Sequence, residues 1–410
     1  MQSSVHTYSI AKFAAIRKQA MVVLPSLLDN DFYKFTMQQG VLKLFPRAKA
    51  RYRFINRGAH SFPQGFAKEF RHSVDAMSSL KLSKEEKLWL SKTCPYLDPV
   101  YLDFLDGYRY DPLEVKITQT GDKLDVFVEG LWYRTILWEV PLLCLISENF
   151  FAMQPMQREN DERVTEKAKN KIEAYGNLGV TVAEFGTRRR HSFNVHQLVV
   201  AGLKKYGKTF VGTSNVHLAM VTETKPIGTH AHEWFMFHAA KYGFKMANTL
   251  ALEHWVDVYR GDLGIALSDT FTTNEFYEVF DKKFTKLFDG VRQDSGDPIE
   301  FANKTIEHYT SMGIDPDSKT IIFSDALDLE KVKRIVQFCR SKIGMSFGIG
   351  TNFTNDVGLE PMNIVIKMTE ALPEAESWTA VVKLSDVAGK HSGDTRTIEL
   401  AKEVLGIRND

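Results

Sequence analysis

The chain has 410 residues, 44% of them hydrophobic, with 52 Lys+Arg against 51 Asp+Glu and a net charge of +1. That length suits two domains, or one large α/β domain with an extension. Such balance argues against a general nucleic-acid binder, which carries a basic bias or face, and the longest apolar stretch, Val140 to Ile146, is far short of the roughly 18 residues a bilayer span needs.

Residues 1–24 read as an N-terminal extension. No acidic residue precedes Asp29, while Lys12, Arg17 and Lys18 are present. The arginine richness of an organellar presequence is missing, so a frayed cytoplasmic extension is expected. Residues 25–177 have a mixed α+β texture. "ARYRFINRG" (50–58) alternates as a strand. "SKEEKLWLSK" (83–92) has Ser83 as N-cap and Glu86 three residues on, which predicts a helix. Residues 113–130 read as a hairpin turning at Thr120-Gly121-Asp122. "RTILWEVPLLCLISENFFAM" opens a long apolar helix with Pro141 near its start. Cys94, Cys144 and Cys339 are far apart and form no CxxC, which fits inert thiols in a reducing, cytoplasmic setting.

From about residue 178 a rhythm begins. Short apolar strands end in polar, Gly-rich turns, and each turn leads into a helical pattern. Seven such junctions follow one another: "EFGTRRR" (184–190), "VGTSN" (211–215), "PIGTHAHE" (226–233), "LSDTFTT" (267–273), "GVRQDSGD" (290–297), "FSDALD" (323–328) and "FGIGTN" (347–352). Strands alternating with helices give a parallel sheet. Seven in a row without a dinucleotide fingerprint predict a barrel over 178–362, with the site at the C-terminal strand ends. Residues 363–410 are expected to return as strands and a helix to the N-terminal domain.

The turns share hydroxyls, glycine amides, arginines and aspartates. Guanidinium groups of Arg188, Arg189 and Arg190 suit phosphate or carboxylate, though neighbours on one turn diverge and at most two can face inward. Gly348, Gly350 and Thr351 follow an apolar strand and suit an amide cradle for phosphate. Asp269, Asp294, Asp297 and Asp325 could each cap a helix. Together, beside arginines, they suit ribose hydroxyls, magnesium or a cationic transition state. No P-loop is present.

His230-Ala231-His232 is open to a metal reading, that of a barrel hydrolase whose two histidines share a metal. That reading needs further ligands at later strand ends. His238, His254 and His308 fall in helical patterns, so the ligand count fails. His230 then reads as a hydrogen-bonded loop histidine. Glu233 is placed to orient the His232 imidazole, and an imidazole among phosphate sites can carry a phosphoryl group.

These stretches, with "LLDNDFYKFTMQQ" (27–39), "LWEVPLL" (137–143), "SFGIGTNFTND", "NIVIKM" and "VVKLSD", resemble the nicotinate phosphoribosyltransferase family, in order from Leu27 to Asp386. The resemblance implies an irregular α/β barrel with an N-terminal mixed α+β domain. It implies transfer of phosphoribosyl from phosphoribosyl pyrophosphate to nicotinate, coupled to ATP through a phosphohistidine, with magnesium carried in by the phosphates. Small molecules are its partners, without nucleic acid or membrane, in a homodimer with shared active sites.

By position, the resemblance implies His232 as the phosphohistidine, with Arg292 and Asp294 also catalytic. Tyr33, reaching over from the partner subunit, and Phe185 would stack on nicotinate, with Ser214 and Arg292 at its carboxylate. Arg57, Arg188, Asp294, Asp325, Gly350 and Thr351 would hold phosphoribosyl pyrophosphate. The related nicotinamide enzyme has Asp at the position of Ser214. A hydroxyl there is expected to donate to a carboxylate, where an Asp would repel it. Nicotinamide transfer, the barrel hydrolase and a binding-only relative are the alternatives.

Overall fold

The computed structural model describes residues 21–374, 377–387 and 390–407. Lys12, Arg17 and Lys18, and with them the reading of an extension or presequence, lie outside the described residues. In chain order the strands are β1 (Lys49–Asn56), β2 (Val115–Thr120), β3 (Lys123–Leu131), β4 (Thr181–Glu184), β5 (Phe210–Thr213), β6 (Lys225–Pro226), β7 (Ile265–Leu267), β8 (Gly290–Gln293), β9 (Thr320–Phe323), β10 (Gly344–Ile349), β11 (Ile364–Leu372) and β12 (Thr379–Ala380).

β1, β2, β3, β11 and β12 form one antiparallel sheet in the order β12-β11-β1-β3-β2. In β1, Ala50, Tyr52 and Phe54 are buried while Lys49 and Arg53 are exposed, the period-2 pattern of a sheet with one wet face. Glu86 reaches back to the Ser83 amide in a complete capping box on the helix Lys84–Thr93. The apolar helix runs Glu139–Ala152. With the short helix before it, Trp132–Ala152 is long and apolar enough to cross a bilayer by length and composition, contrary to the sequence reading. However, 83% of its most apolar 18-residue window is buried inside the molecule. It is a core element, packed against β11 and the helix Phe66–Ala76.

The other seven strands are all parallel, in the order β6-β5-β4-β10-β9-β8-β7. β4 pairs with β10, so the first and last strands of the rhythm meet and the sheet curls into an α/β barrel. The curl is irregular because β6 and β7, its two edges, are not paired with each other. Side chains cross this seam instead. The Thr229 hydroxyl donates to Ile265 O (2.9 Å) and the Leu267 N–H donates to His230 Nε2 (3.1 Å).

Candidate active site

The C-terminal ends of the parallel strands open onto a cavity of about 650 Å³. Tyr33, Phe185, Arg188, Arg189, Ser214, His232, Arg292, Asp294, Gly350 and Thr351 all line it. Both aromatic residues sit against a glycine. A Cβ on Gly348 would lie 2.3 Å from the Phe185 ring, and one on Gly228 would lie 2.9 Å from the Tyr33 backbone N. Gly348 thus makes room for a ring, which adds to its reading as part of a phosphate cradle.

Tyr33 reaches this cavity from the same chain. Asp31 forms a backbone bridge with Asn215, and the Phe32 N–H donates to Ser214 O (2.7 Å), docking the start of the helix Phe32–Leu44 on the end of β5. The reach from a partner subunit is therefore not needed to bring Tyr33 here.

His232 begins the helix His232–Tyr242. Its Nδ1 lies 3.0 Å from Thr270 Oγ1, and its Nε2 lies 3.0 Å from Asp294 Oδ2 and 2.9 Å from Lys383 Nζ. Burial and then the Lys383 charge push the imidazole below its usual pKa. With its proton on Nε2 the neutral ring donates to Asp294 and accepts from the Thr270 hydroxyl; with the proton on Nδ1 the Nε2 lone pair accepts from Lys383 or meets an electrophile, and the Asp294 contact is no longer a hydrogen bond. Burial opposes charge on Asp294, but Arg292, His232 and Lys383 hold its carboxyl well below the usual range. Ser324 Oγ also donates to Asp294, at 3.0 Å.

Glu233 does not orient His232, contrary to the sequence reading. Its carboxylate turns away to accept from Tyr52 OH (2.7 Å) and to pair with the buried ammonium of Lys34. Lys34 also meets Glu139 at 2.5 Å, and Glu139 lies 3.6 Å from Arg188. Two carboxylates and two cations thus link the residue after His232 to an arginine of the cavity wall. Burial works against the Lys34 charge, but Glu139 and Glu233 hold it protonated.

The three arginines divide. Arg190 is wholly buried in a bidentate pair with Asp29, at 2.6 and 2.7 Å, and does not line the cavity. Arg188 and Arg189 do. Ser214 Oγ donates to Asp31 Oδ1 at 2.6 Å, so its proton is not aimed at a ligand as expected from sequence. Asp325 is absent from the lining; both its oxygens accept from Lys390 Nζ, at 2.8 and 2.9 Å. Arg57 is exposed at the end of β1, outside the lining. Its charge is felt by Lys367, which also lies outside the lining: burial and then Arg57 and Lys383 push Lys367 down to about 8.

His232, Asp269 and Asp294 lie close enough to share a metal. Lys383 stands among them, with Nζ 2.9 Å from Asp269 Oδ2 as well as from His232. An ammonium already occupies the cluster, and His230 is not part of it. The histidine pair therefore does not build the hydrolase site. Sequence reasoning did not single out Asp31, Thr270, Ser324 or Lys383. For Lys383 the only signal was its place in "VVKLSD".

Residues 180–409 match the profile of the nicotinate phosphoribosyltransferase (NAPRTase) family, and residues 28–147 match that of its N-terminal domain. A nicotinate phosphoribosyltransferase of Chromohalobacter salexigens is 65% identical over 386 residues, covering 94% of this chain and 99% of that protein. The crystal structure of nicotinate phosphoribosyltransferase from Porphyromonas gingivalis superposes with a TM-score of 0.91 at 44% identity, over 94% of this chain and 100% of that one. The structure of a putative nicotinate phosphoribosyltransferase from Saccharomyces cerevisiae gives 0.88 at 34% identity, over 95% and 100%. With both profiles and these relatives agreeing along its length, the chain belongs to the nicotinate phosphoribosyltransferase family.

Proposed function

We propose that the chain joins nicotinate to phosphoribosyl pyrophosphate in NAD biosynthesis in the cytoplasm, and that ATP drives the reaction through a phosphohistidine on His232. The observation that carries this reading is one cavity gathering two aromatic residues, three arginines and a His–Asp pair: Tyr33, Phe185, Arg188, Arg189, Arg292, His232 and Asp294.

In the transfer step the C1–O bond to pyrophosphate breaks and the pyridine nitrogen forms the new bond to C1. The nitrogen has no proton to lose, so no general base is needed. The cost lies in an oxocarbenium-like state, as in glycoside chemistry. Tyr33 and Phe185 align the ring. Arg292 and Arg188 meet the anionic groups, Asp294 faces the cationic ribose, and Gly350 and Thr351 hold its phosphate. Arg57 adds positive charge outside the lining and is the residue that would meet a phosphate beyond it. Asp325 reaches the ribose only if Lys390 releases it.

The donors fit magnesium only in part. Asp294 offers a carboxylate oxygen, while Lys383 already occupies the rest of the acidic cluster. Asp294 would share an ion carried by the phosphates, and that ion supplies charge neutralisation to the leaving pyrophosphate. In the coupling step the ATP γ-phosphoryl moves to His232 Nε2. The P–O bond to ADP breaks, a P–N bond forms, and later hydrolysis releases phosphate. Lys383 stands at 2.9 Å to offset the added charge.

The test is a product assay with phosphoribosyl pyrophosphate and magnesium, comparing nicotinate, nicotinamide and quinolinate with and without ATP. Nicotinate mononucleotide forming faster with ATP is the expected result. His232→Asn should lose the stimulation and keep a slow ATP-independent synthesis. Full stimulation in that variant would remove His232 from the coupling, and turnover of nicotinamide alone would overturn the substrate.

A further inference from the structure

The nicotinate reading meets an obstacle in the cavity itself: a buried carboxylate already lines it. Asp31 is 2% exposed. Its Oδ1 takes the one proton of the Ser214 hydroxyl at 2.6 Å, and its Oδ2 lies 3.9 Å from Arg188 Nε. While Asp31 is charged, Ser214 and Asp31 together present only acceptors. That surface suits an amide N–H and repels a carboxylate. The same arginine that should receive nicotinate is shared between Asp31 and Glu139, at 3.9 and 3.6 Å. Neither contact is a hydrogen bond, so Arg188 is free to turn to a better anion once Asp31 no longer holds it.

We infer that Asp31 sorts acid from amide in this cavity: a pyridine carboxylate enters together with one proton from solvent, and Asp31 takes that proton. The inference rests on the nicotinate reading and names how that substrate is recognised. Neutral Asp31 frees Arg188 for the substrate carboxylate and can itself donate to Ser214, whose hydroxyl proton is then released toward the ligand.

The groups facing Asp31 leave it as the one that titrates. Burial raises the Asp31 carboxyl, against the pull of Arg188, Ser214 and Thr187, and the charge of Glu184 adds to the rise. Glu184 stays ionised because, though burial opposes it, His196, Thr213 and the Gly186 N–H hold it low. The Tyr33 phenol and the Cys144 thiol are pushed up by burial and remain neutral. Burial also opposes charge on Glu139, but Lys34 and Arg188 keep it ionised. A second carboxylate arriving beside Asp31 raises it further, so nicotinate affinity is greatest below the free-enzyme value and falls as pH rises through it.

The experiment is calorimetric titration of nicotinate into the full chain, in two buffers of different ionisation enthalpy, from pH 5.5 to 8.5. The product assay is run alongside. Wild type should take up close to one proton per nicotinate at the alkaline end, and Asp31→Asn none. In Ser214→Ala, which removes a donor that stabilises the charged carboxyl, the half-point of uptake should move to higher pH. kcat/KM for nicotinate should fall about tenfold per pH unit on the alkaline limb in wild type, and less steeply in Asp31→Asn. No proton uptake by wild type, undiminished uptake in Asp31→Asn, or an unmoved half-point in Ser214→Ala would each overturn the inference while product formation continues. A wild type that makes no nicotinate mononucleotide would overturn the function reading, and this inference with it.

Discussion

Lys383 is 10% exposed and meets both His232 and Asp269 at 2.9 Å. Its charge disfavours the imidazolium, so Lys383→Met should let His232 titrate at higher pH, read from its ring protons by NMR. An unmoved resonance would show that the ammonium does not set the state of the ring. Single residues were legible where a strand end announced them. Phe185, Arg188 and Asp294 follow the ends of β4 and β8, and Arg292 is next to last in β8, all at strand ends that the strand–helix rhythm aims at one face. Lys383, Asp31 and Lys34 were not legible. Each owes its role to a partner far away in sequence, and no motif marks a lysine that will stand between a histidine and an aspartate. Glu233 misled for the opposite reason: adjacency to His232 suggested contact, yet helix geometry sends neighbouring side chains to different sides.

At the scale of elements, the period-2 pattern of β1 and the capping signal at Ser83 were enough to place a strand and a helix. The break between β6 and β7 was not legible, because periodicity says where strands are and not which edges pair. His230 shows what the break requires. Its imidazole is buried, and burial, then Arg292 and His232, push it well below its usual pKa. It therefore stays neutral and accepts the Leu267 N–H. His230→Leu should cost about 1–3 kcal/mol, the penalty of an orphaned amide, seen as a lower urea midpoint with no change in metal content. Stoichiometric zinc lost on that substitution would revive the metal reading.

The Asp29–Arg190 pair pins the segment before the helix Phe32–Leu44 against the barrel, and Asn215 adds a hydrogen bond to Asp29 at 2.7 Å. Arg190→Met leaves Asp29 buried without its partner and should destabilise the fold by about 3–5 kcal/mol. Though burial opposes it, Arg190 holds the Asp29 carboxyl below its ordinary value. A depressed carboxyl contributes fully above its unfolded value, near 3.9, and that contribution is lost as pH falls through the folded value. The gap in stability between wild type and Arg190→Met should therefore narrow in acid. A constant gap from pH 6 down to the acid transition would count against the pair.

For the whole molecule, the cavity draws Tyr33 from the first helix, Lys367 and Lys383 act from near the end of the chain, and the turns of the barrel supply the rest. One chain gathers them all. Dilution from micromolar to nanomolar protein tests the shared site that the resemblance implies: specific activity should fall with dissociation of a dimer, and a constant value would show that one chain suffices. The alternation of seven strands and helices made the barrel legible, since that rhythm has few other solutions.

Synthesis of the chain has to contend with how the antiparallel sheet is assembled. β1 lies between β3 and β11, paired to each, with Asn56 opposite Ile364. A ribosome adding about 5–20 residues per second would take roughly 15–60 s to cover the intervening ~300 residues. Through that interval one edge of β1 has no strand to pair with, and an open edge is a template for foreign strands. Arg51 and Arg53, set along that strand, give it a charge that discourages such pairing until its own partner emerges.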